Sequence, residues 1–211
     1  MSDNTKSSLI ALGAEALASA LIELTEMSPE AQDLVERMLA TPEEKLSRIR
    51  DALKEIRAME GEYDGEDVAE LADELTFVLD DIEAGVEDPC LGISLMAEFF
   101  ETDETVFDAC NDADGDLSDI YTDDARDLFT SFACRCKKTE KITDTLFRLT
   151  TEDPFGVRGS LVDNAWEFLS PAAMKKLTKR FQTELDAHPD ENESWHLERC
   201  LHSLTDQLEK I

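Results

Sequence analysis

Residues 66–85 run EDVAELADELTFVLDDIEAG, between Gly65 and a break at Gly85. Val68, Leu71, Ala72, Leu75, Val78, Leu79 and Ile82 recur at intervals of three and four, the spacing that places side chains on one face of an α-helix. Acidic residues fill much of the remaining surface. A strand would need sustained alternation and β-branched enrichment, and neither occurs here or elsewhere in the chain.

Working outward, the same grammar repeats. Upstream, Leu9, Leu12, Ala16, Leu17, Ala20, Leu21 and Leu24 give one helical stripe. Ser28-Pro29 and Thr41-Pro42-Glu43-Glu44 restart the chain with an N-cap followed by proline at the first helical position. The first sixty residues therefore read as three helices with very short joints. Downstream, Asp88-Pro89 opens a helix carrying Leu91, Leu95, Met96, Phe99 and Phe100, and a short one carries Val106, Phe107 and Cys110. The turn at Asp114-Gly115 leads into a long helix with Leu117, Ile120, Tyr121, Leu128, Phe129 and Phe132. Further helices are predicted near 139–150, 160–169, 171–187 and 192–209. Short joints between short helices predict an all-α protein of stacked antiparallel helical hairpins, either α-solenoid-like or a compact multi-helix bundle. We read residues 1–211 as a single helical domain, with a sub-division into 1–60 and 61–211.

The chain is 42% hydrophobic and 33% charged, which is a globular composition and not a disordered one. Its formal charge of -30 is unevenly placed. Residues 1–59 hold 11 acids and 7 bases, residues 60–127 hold 25 acids and the single base Arg126, and residues 128–211 hold 14 acids and 12 bases. A charge confined to the middle third argues against whole-surface solubility adaptation. It disfavours direct binding to nucleic acid or to anionic membrane, where Lys and Arg supply the affinity. The polar N-terminus and the Glu15 and Glu23 interruptions give no signal peptide or membrane span. Cysteines at 90, 110, 134, 136 and 200 show no regular framework. The expectation is a cytoplasmic protein with reduced thiols.

Candidate sites are few. Asp112, Asp114 and Asp116 alternate before and after Gly115 as in a calcium loop, but the first ligand position falls on Cys110 and the twelfth on Tyr121, so the hard-cation ligand set is incomplete. A helix-to-helix turn accounts for the same residues. Cys134-Arg135-Cys136 and Cys200-Leu201-His202 mimic the order of a SWIM zinc finger. Residues two apart on a helix point roughly 200° away from each other, so pairs read as helical cannot chelate one ion. His196 and Cys200 share a face without an orienting third group. His188, His196 and His202 read as surface residues of a terminal hairpin. No phosphate loop, nucleophile elbow or Glu-x-x-His di-metal motif is present. Trp166, Trp195, Phe155 and the Phe99-Phe100 pair read as core more readily than as an exposed hot spot. No catalytic or cofactor-binding residue is identified. The residues assigned to partner binding are Asp80, Asp81, Asp119, Asp123 and Asp124.

The opening Ser8-Leu9-Ile10-Ala11-Leu12-Gly13-Ala14-Glu15, the central Phe107-Asp108-Ala109-Cys110-Asn111-Asp112-Ala113-Asp114-Gly115-Asp116-Leu117-Ser118-Asp119 and the later Asp153-Pro154-Phe155-Gly156-Val157 resemble an uncharacterised bacterial helical family, domain of unknown function 6880. Similar helical regions stand beside SWIM zinc fingers. The resemblance spans roughly residues 8–185, carries helical turns and caps, and implies no chemistry. The sequence thus points to a protein-interaction module whose acidic segment selects a basic protein partner. A nucleic-acid mimic and a carboxylate-rich metal protein or enzyme stand as alternatives.

Overall fold

A computed structural model describes residues 3–110, 112, 115–187 and 195–210, with the backbone alone at 3, 4, 30, 33 and 66. The all-α expectation is met: among these residues there is no strand, and one isolated bridge joins Tyr63 to Cys110. The helices are α1 (Asp3–Leu12), α2 (Ala14–Met27), α3 (Pro29–Leu39), α4 (Pro42–Arg57), α5 (Glu66–Gly85), α6 (Pro89–Phe100), α7 (Asp103–Ala109), α8 (Asp116–Asp119), α9 (Arg126–Arg135), α10 (Thr139–Thr151), α11 (Pro171–Ala187) and α12 (Trp195–Glu209). A π-helical segment, Ile120–Ala125, joins α8 to α9, and two 3-10 turns, Arg158–Val162 and Ala165–Glu167, lie between α10 and α11. Contacts divide the chain into two units, 1–47 and 48–211.

The caps form as their residue types dictate. Ser28 Oγ accepts from Ala31 N at 3.2 Å and Asp88 Oδ1 from Cys90 N at 2.9 Å. Thr41 and Glu44 make a reciprocal capping box, Thr41 N donating to Glu44 Oε2 at 2.8 Å and Glu44 N to Thr41 Oγ1 at 3.3 Å. In 1–47 the stripe from Leu9 to Leu24 is not one helix. Gly13, at φ +84°, breaks it into α1 and α2.

In 48–211 the core is organised by α6, whose sequence is apolar nearly all round, the pattern of a helix enclosed on every side. Ile93, Leu95, Met96, Phe99 and Phe100 are fully enclosed, and the helix packs on α9, α10 and the π segment. Gly92 lets α6 and α9 approach closely: a Cβ there would come within 2.3 Å of the Phe132 ring. The long helix expected from Leu117 to Phe132 is interrupted by the π turn.

The helix expected at 160–169 is instead the two 3-10 turns, and the cause is a side chain. Gln207 of α12 accepts from Trp166 N at 3.0 Å and donates to Val162 O at 2.8 Å. Those two backbone groups, four residues apart, are the partners an α-helical turn would join directly. The Gln207 amide occupies that position and is itself buried.

Candidate functional site

Two helix faces converge on an acidic groove. From α5 come Thr76, Leu79, Asp80 and Glu83, and from the π segment and α9 come Asp124, Asp127, Leu128 and Ser131. The groove encloses about 350 Å³. Spacing explains the lining: the core stripe of α5 runs through Leu75, Val78, Leu79 and Ile82, and the 100° step per residue puts Thr76, Asp80 and Glu83 on one flank of it. Leu79 and Leu128 are buried at the floor, while Asp80, Glu83, Asp124 and Asp127 are exposed at the rim.

Arg126, the only base in residues 60–127, is held within its own segment. Its guanidinium lies 3.0 Å from Asp123 and 2.8 Å from Asp127. Among the described residues no cation pairs with Asp80, Glu83 or Asp124. Of the residues assigned from sequence, the fold brings Asp80 and Asp124 into the groove and sets Asp123 beside it through Arg126. Asp81 is half-buried, and neither it nor the exposed Asp119 lines the groove. Glu83 and Asp127 join the site, and helical spacing from Asp80 and Asp124 was the available signal for both.

A second groove of about 370 Å³ lies between the end of α4 and the first half of α5, where Glu55, Asp67, Glu70 and Glu74 surround Ile56, Met59, Tyr63 and Leu71. Asp67, Glu70 and Glu74 fall on the opposite flank of α5 from Asp80 and Glu83.

The calcium-like loop has a different use. Asp112 Oδ1 accepts from Leu117 N at 3.0 Å, and Oδ2 accepts from Ser118 N at 2.9 Å and Ser118 Oγ at 2.6 Å. Both oxygens are thereby committed to the start of α8, and Gly115 takes the left-handed conformation, φ +85°. Asp116 is exposed, and Asp114 lies outside the described residues. Among the described residues no group of three His, Cys, Asp or Glu side chains is placed to hold a metal.

The cysteines correct the sequence reading. Cys90 and Cys136 form a disulfide, Cα to Cα 5.4 Å. Cys136 is the residue after α9, not within a helix, and the close approach of α6 and α9 at Gly92 brings it to the start of α6. Cys134 is exposed, Cys110 and Cys200 are buried, and His202 projects outward toward Asp206. The four residues of the zinc-finger-like order are therefore not assembled. No hydrogen bond joins His196 to Cys200, whose thiol is pushed up to about 12 by burial. His188 lies outside the described residues. A thiol reagent at pH 8 is expected to modify one cysteine rapidly in the native protein, Cys134. Three react in denaturant and five after reduction. Peptide mapping checks the assignment, and rapid labelling of Cys200 or of Cys136 would contradict it.

The aromatics also divide otherwise than expected. Phe99 and Phe100 are core, but Trp166 and Trp195 are half exposed. The Trp195 ring lies against Gly156, where a Cβ would meet it at 2.3 Å.

One buried constellation was not read from the sequence at all. Arg158 donates through Nε to Asp103 Oδ2 at 2.8 Å and through Nη2 to Asp103 Oδ1 at 2.5 Å. Asp153 accepts from the backbone of Arg158 at 3.3 Å and of Gly159 at 2.9 Å. Asp103, Asp153 and Arg158 are all buried. Burial raises Asp103 and Asp153 above the usual carboxylate range, with Arg158 opposing it. The Asp153-Pro154-Phe155-Gly156-Val157 motif is the turn that delivers Arg158 to Asp103.

The family model for a family of unknown function, DUF6880, matches residues 2–210. The chain belongs to DUF6880. No curated protein and no solved structure matches it. Membership in DUF6880 spans nearly the whole chain, so both acidic grooves and the Arg158–Asp103 pair lie within the family domain.

Proposed function

We propose that this DUF6880 chain is a non-catalytic protein-interaction module that receives a basic segment of a partner protein in the groove between α5 and the π segment with α9. The observation that carries this is the groove itself: four exposed carboxylates from three elements over an apolar floor, with no described cation balancing Asp80, Glu83 or Asp124. A Lys- or Arg-rich segment supplies charge for the rim and methylene stems for the floor. Carboxylates divided between opposite flanks of α5 favour a peptide-sized ligand over mimicry of a continuous phosphate ladder. The exposed position of the acids and the enclosure of Asp103 and Asp153 favour binding over catalysis. On this reading the likeness to regions beside SWIM zinc fingers is one of helical scaffold.

The test is fluorescence anisotropy with a labelled oligoarginine peptide. Each exposed ion pair is worth about 0.2–1 kcal/mol, so neutralising four carboxylates costs about 0.8–4 kcal/mol, a factor of about four or more. The combined substitution Asp80→Asn, Glu83→Gln, Asp124→Asn and Asp127→Asn is expected to weaken binding by about that factor. The matched set Glu55→Gln, Asp67→Asn, Glu70→Gln and Glu74→Gln removes the same charge elsewhere and is expected to change it far less. Equal losses from both sets would show that only net charge matters and would dispose of the groove.

A further inference from the structure

The unit 1–47 poses a separate physical problem. Among its described residues none is buried, and α2, fourteen residues long, has no enclosed side chain. Nine large apolar side chains between Leu9 and Leu39 are exposed, among them Ile10, Leu12, Ile22, Met27, Met38 and Leu39, with Met27 at 80% and Leu39 at 78%. Isolated helices of ten to fourteen residues are marginal in water, and most helical stability comes from packing an apolar face. Weighted by exposure, these side chains present roughly 800–1,000 Å² of apolar surface in total, spread over more than one flank of the helices because Ile10 and Leu12, and Ile22 and Leu24, point roughly 200° apart; that total is the scale of the ~800 Å² per partner that a stable interface buries.

We propose that this apolar surface is the site at which a second copy of the chain docks, the α1–α3 segment of one protomer intertwined with that of the other so that more than one flank is covered. α2 and α3 pack on each other across the single-residue joint at Ser28. Two such helix pairs related by a two-fold axis complete a four-helix arrangement in which each supplies the area the other lacks. Charge does not forbid this contact: residues 1–47 carry nine acids and three bases, a small share of the total of -30. This inference is independent of the groove.

A lipid surface is the competing occupant. No single described helix is long and apolar enough to cross a membrane, although Thr5–Leu12 and Ala14–Met27, bent by 104°, pass the test of length and composition as a pair. Helices that lie on membranes carry Lys and Arg on the polar face. Between Lys6 and Arg37 this chain has neither, and the intervening charges are all acidic.

Sedimentation velocity of the full chain in moderate salt, from low to high micromolar, is expected to give a mass near twice 23.6 kDa. Ile22→Glu with Met38→Glu alters side chains that project into solvent in the single chain and is expected to weaken association at least about tenfold. Hydrogen exchange on the unmodified protein, which needs no substitution, is expected to show protection within 14–39 that rises with concentration. The proposal is overturned by a monomer at high micromolar, by a dimer that the paired substitution leaves unchanged, or by exchange independent of concentration. It is equally overturned by a monomer that co-sediments with phosphatidylcholine vesicles through these same side chains.

Discussion

Arg158→Met is expected to destabilise the protein by about 3–5 kcal/mol, because it leaves the Asp103 carboxylate buried without its cation. The arginine's Nε and Nη2 satisfy both Asp103 oxygens, and its remaining Nη donates to Glu152 O. Asp103 is fully buried, and Arg158 is 4% exposed. Methionine has the reach to fill the space but no donors. The double variant Asp103→Leu/Arg158→Met removes both charges and is expected to recover more than half of the loss. That non-additivity separates a broken ion pair from a packing defect.

Acidity should relieve the single variant. Burial already lifts Asp103 above its ordinary 3.8 in the folded chain, with Arg158 opposing the lift. Without Arg158 the folded chain binds this proton still more tightly than the unfolded chain does. A group with a raised folded pKa stabilises below its unfolded pKa and loses that contribution as pH rises through the folded value. The gap between Arg158→Met and the parent protein is therefore expected to narrow as pH falls from neutral toward 3.8, and to be widest above the raised value. Urea titrations across that range measure it. A gap that stays constant would show that Asp103 is not the destabilising group.

Gly92→Ala tests the other junction, and here the sign is diagnostic. At an exposed mid-helix site alanine is more stable than glycine by about 1 kcal/mol. At Gly92 a Cβ would sit 2.3 to 2.5 Å from three atoms of the Phe132 ring, which is itself fully enclosed. Neither helix recedes easily, since Cys90–Cys136 also ties the start of α6 to the end of α9. Overpacking of this kind costs about 1–3 kcal/mol beyond the lost propensity gain. The variant is thus expected to melt lower than the parent. Adding Phe132→Ala, which removes the clashing Cγ, Cδ1 and Cε1, is expected to cost less in the Gly92→Ala background than in the parent. A Gly92→Ala protein that melts higher would contradict the close approach of α6 and α9.

Much of the architecture is written locally. Ser28, Thr41 and Asp88 cap their helices because side-chain oxygens within three residues of free N–H groups need nothing from the rest of the molecule. The stripe of α5 likewise survives unchanged, since burial and periodicity agree there. Legibility fails where a distant side chain intervenes. Gln207 sits some forty residues from the turn it holds open, and nothing in 160–169 announces it. The Arg158–Asp103 pair bridges 55 residues, and Cys90–Cys136 bridges 46. The break at Gly13 was more accessible, because glycine within an apolar stripe is a known punctuator. As for the groove, Asp80 and Asp124 were visible as dense charge. Their meeting across two elements depends on how α5 packs beside the π turn, which spacing within either element does not encode.

Chemical-shift mapping with a Lys- and Arg-rich peptide locates the contact surface most directly. The account predicts that backbone amide shifts in an isotopically labelled chain concentrate at 76–83 and 124–131, saturate with peptide, and shrink as salt is raised. Shifts spread evenly over every acidic surface, or centred instead on Glu55, Asp67, Glu70 and Glu74, would contradict it.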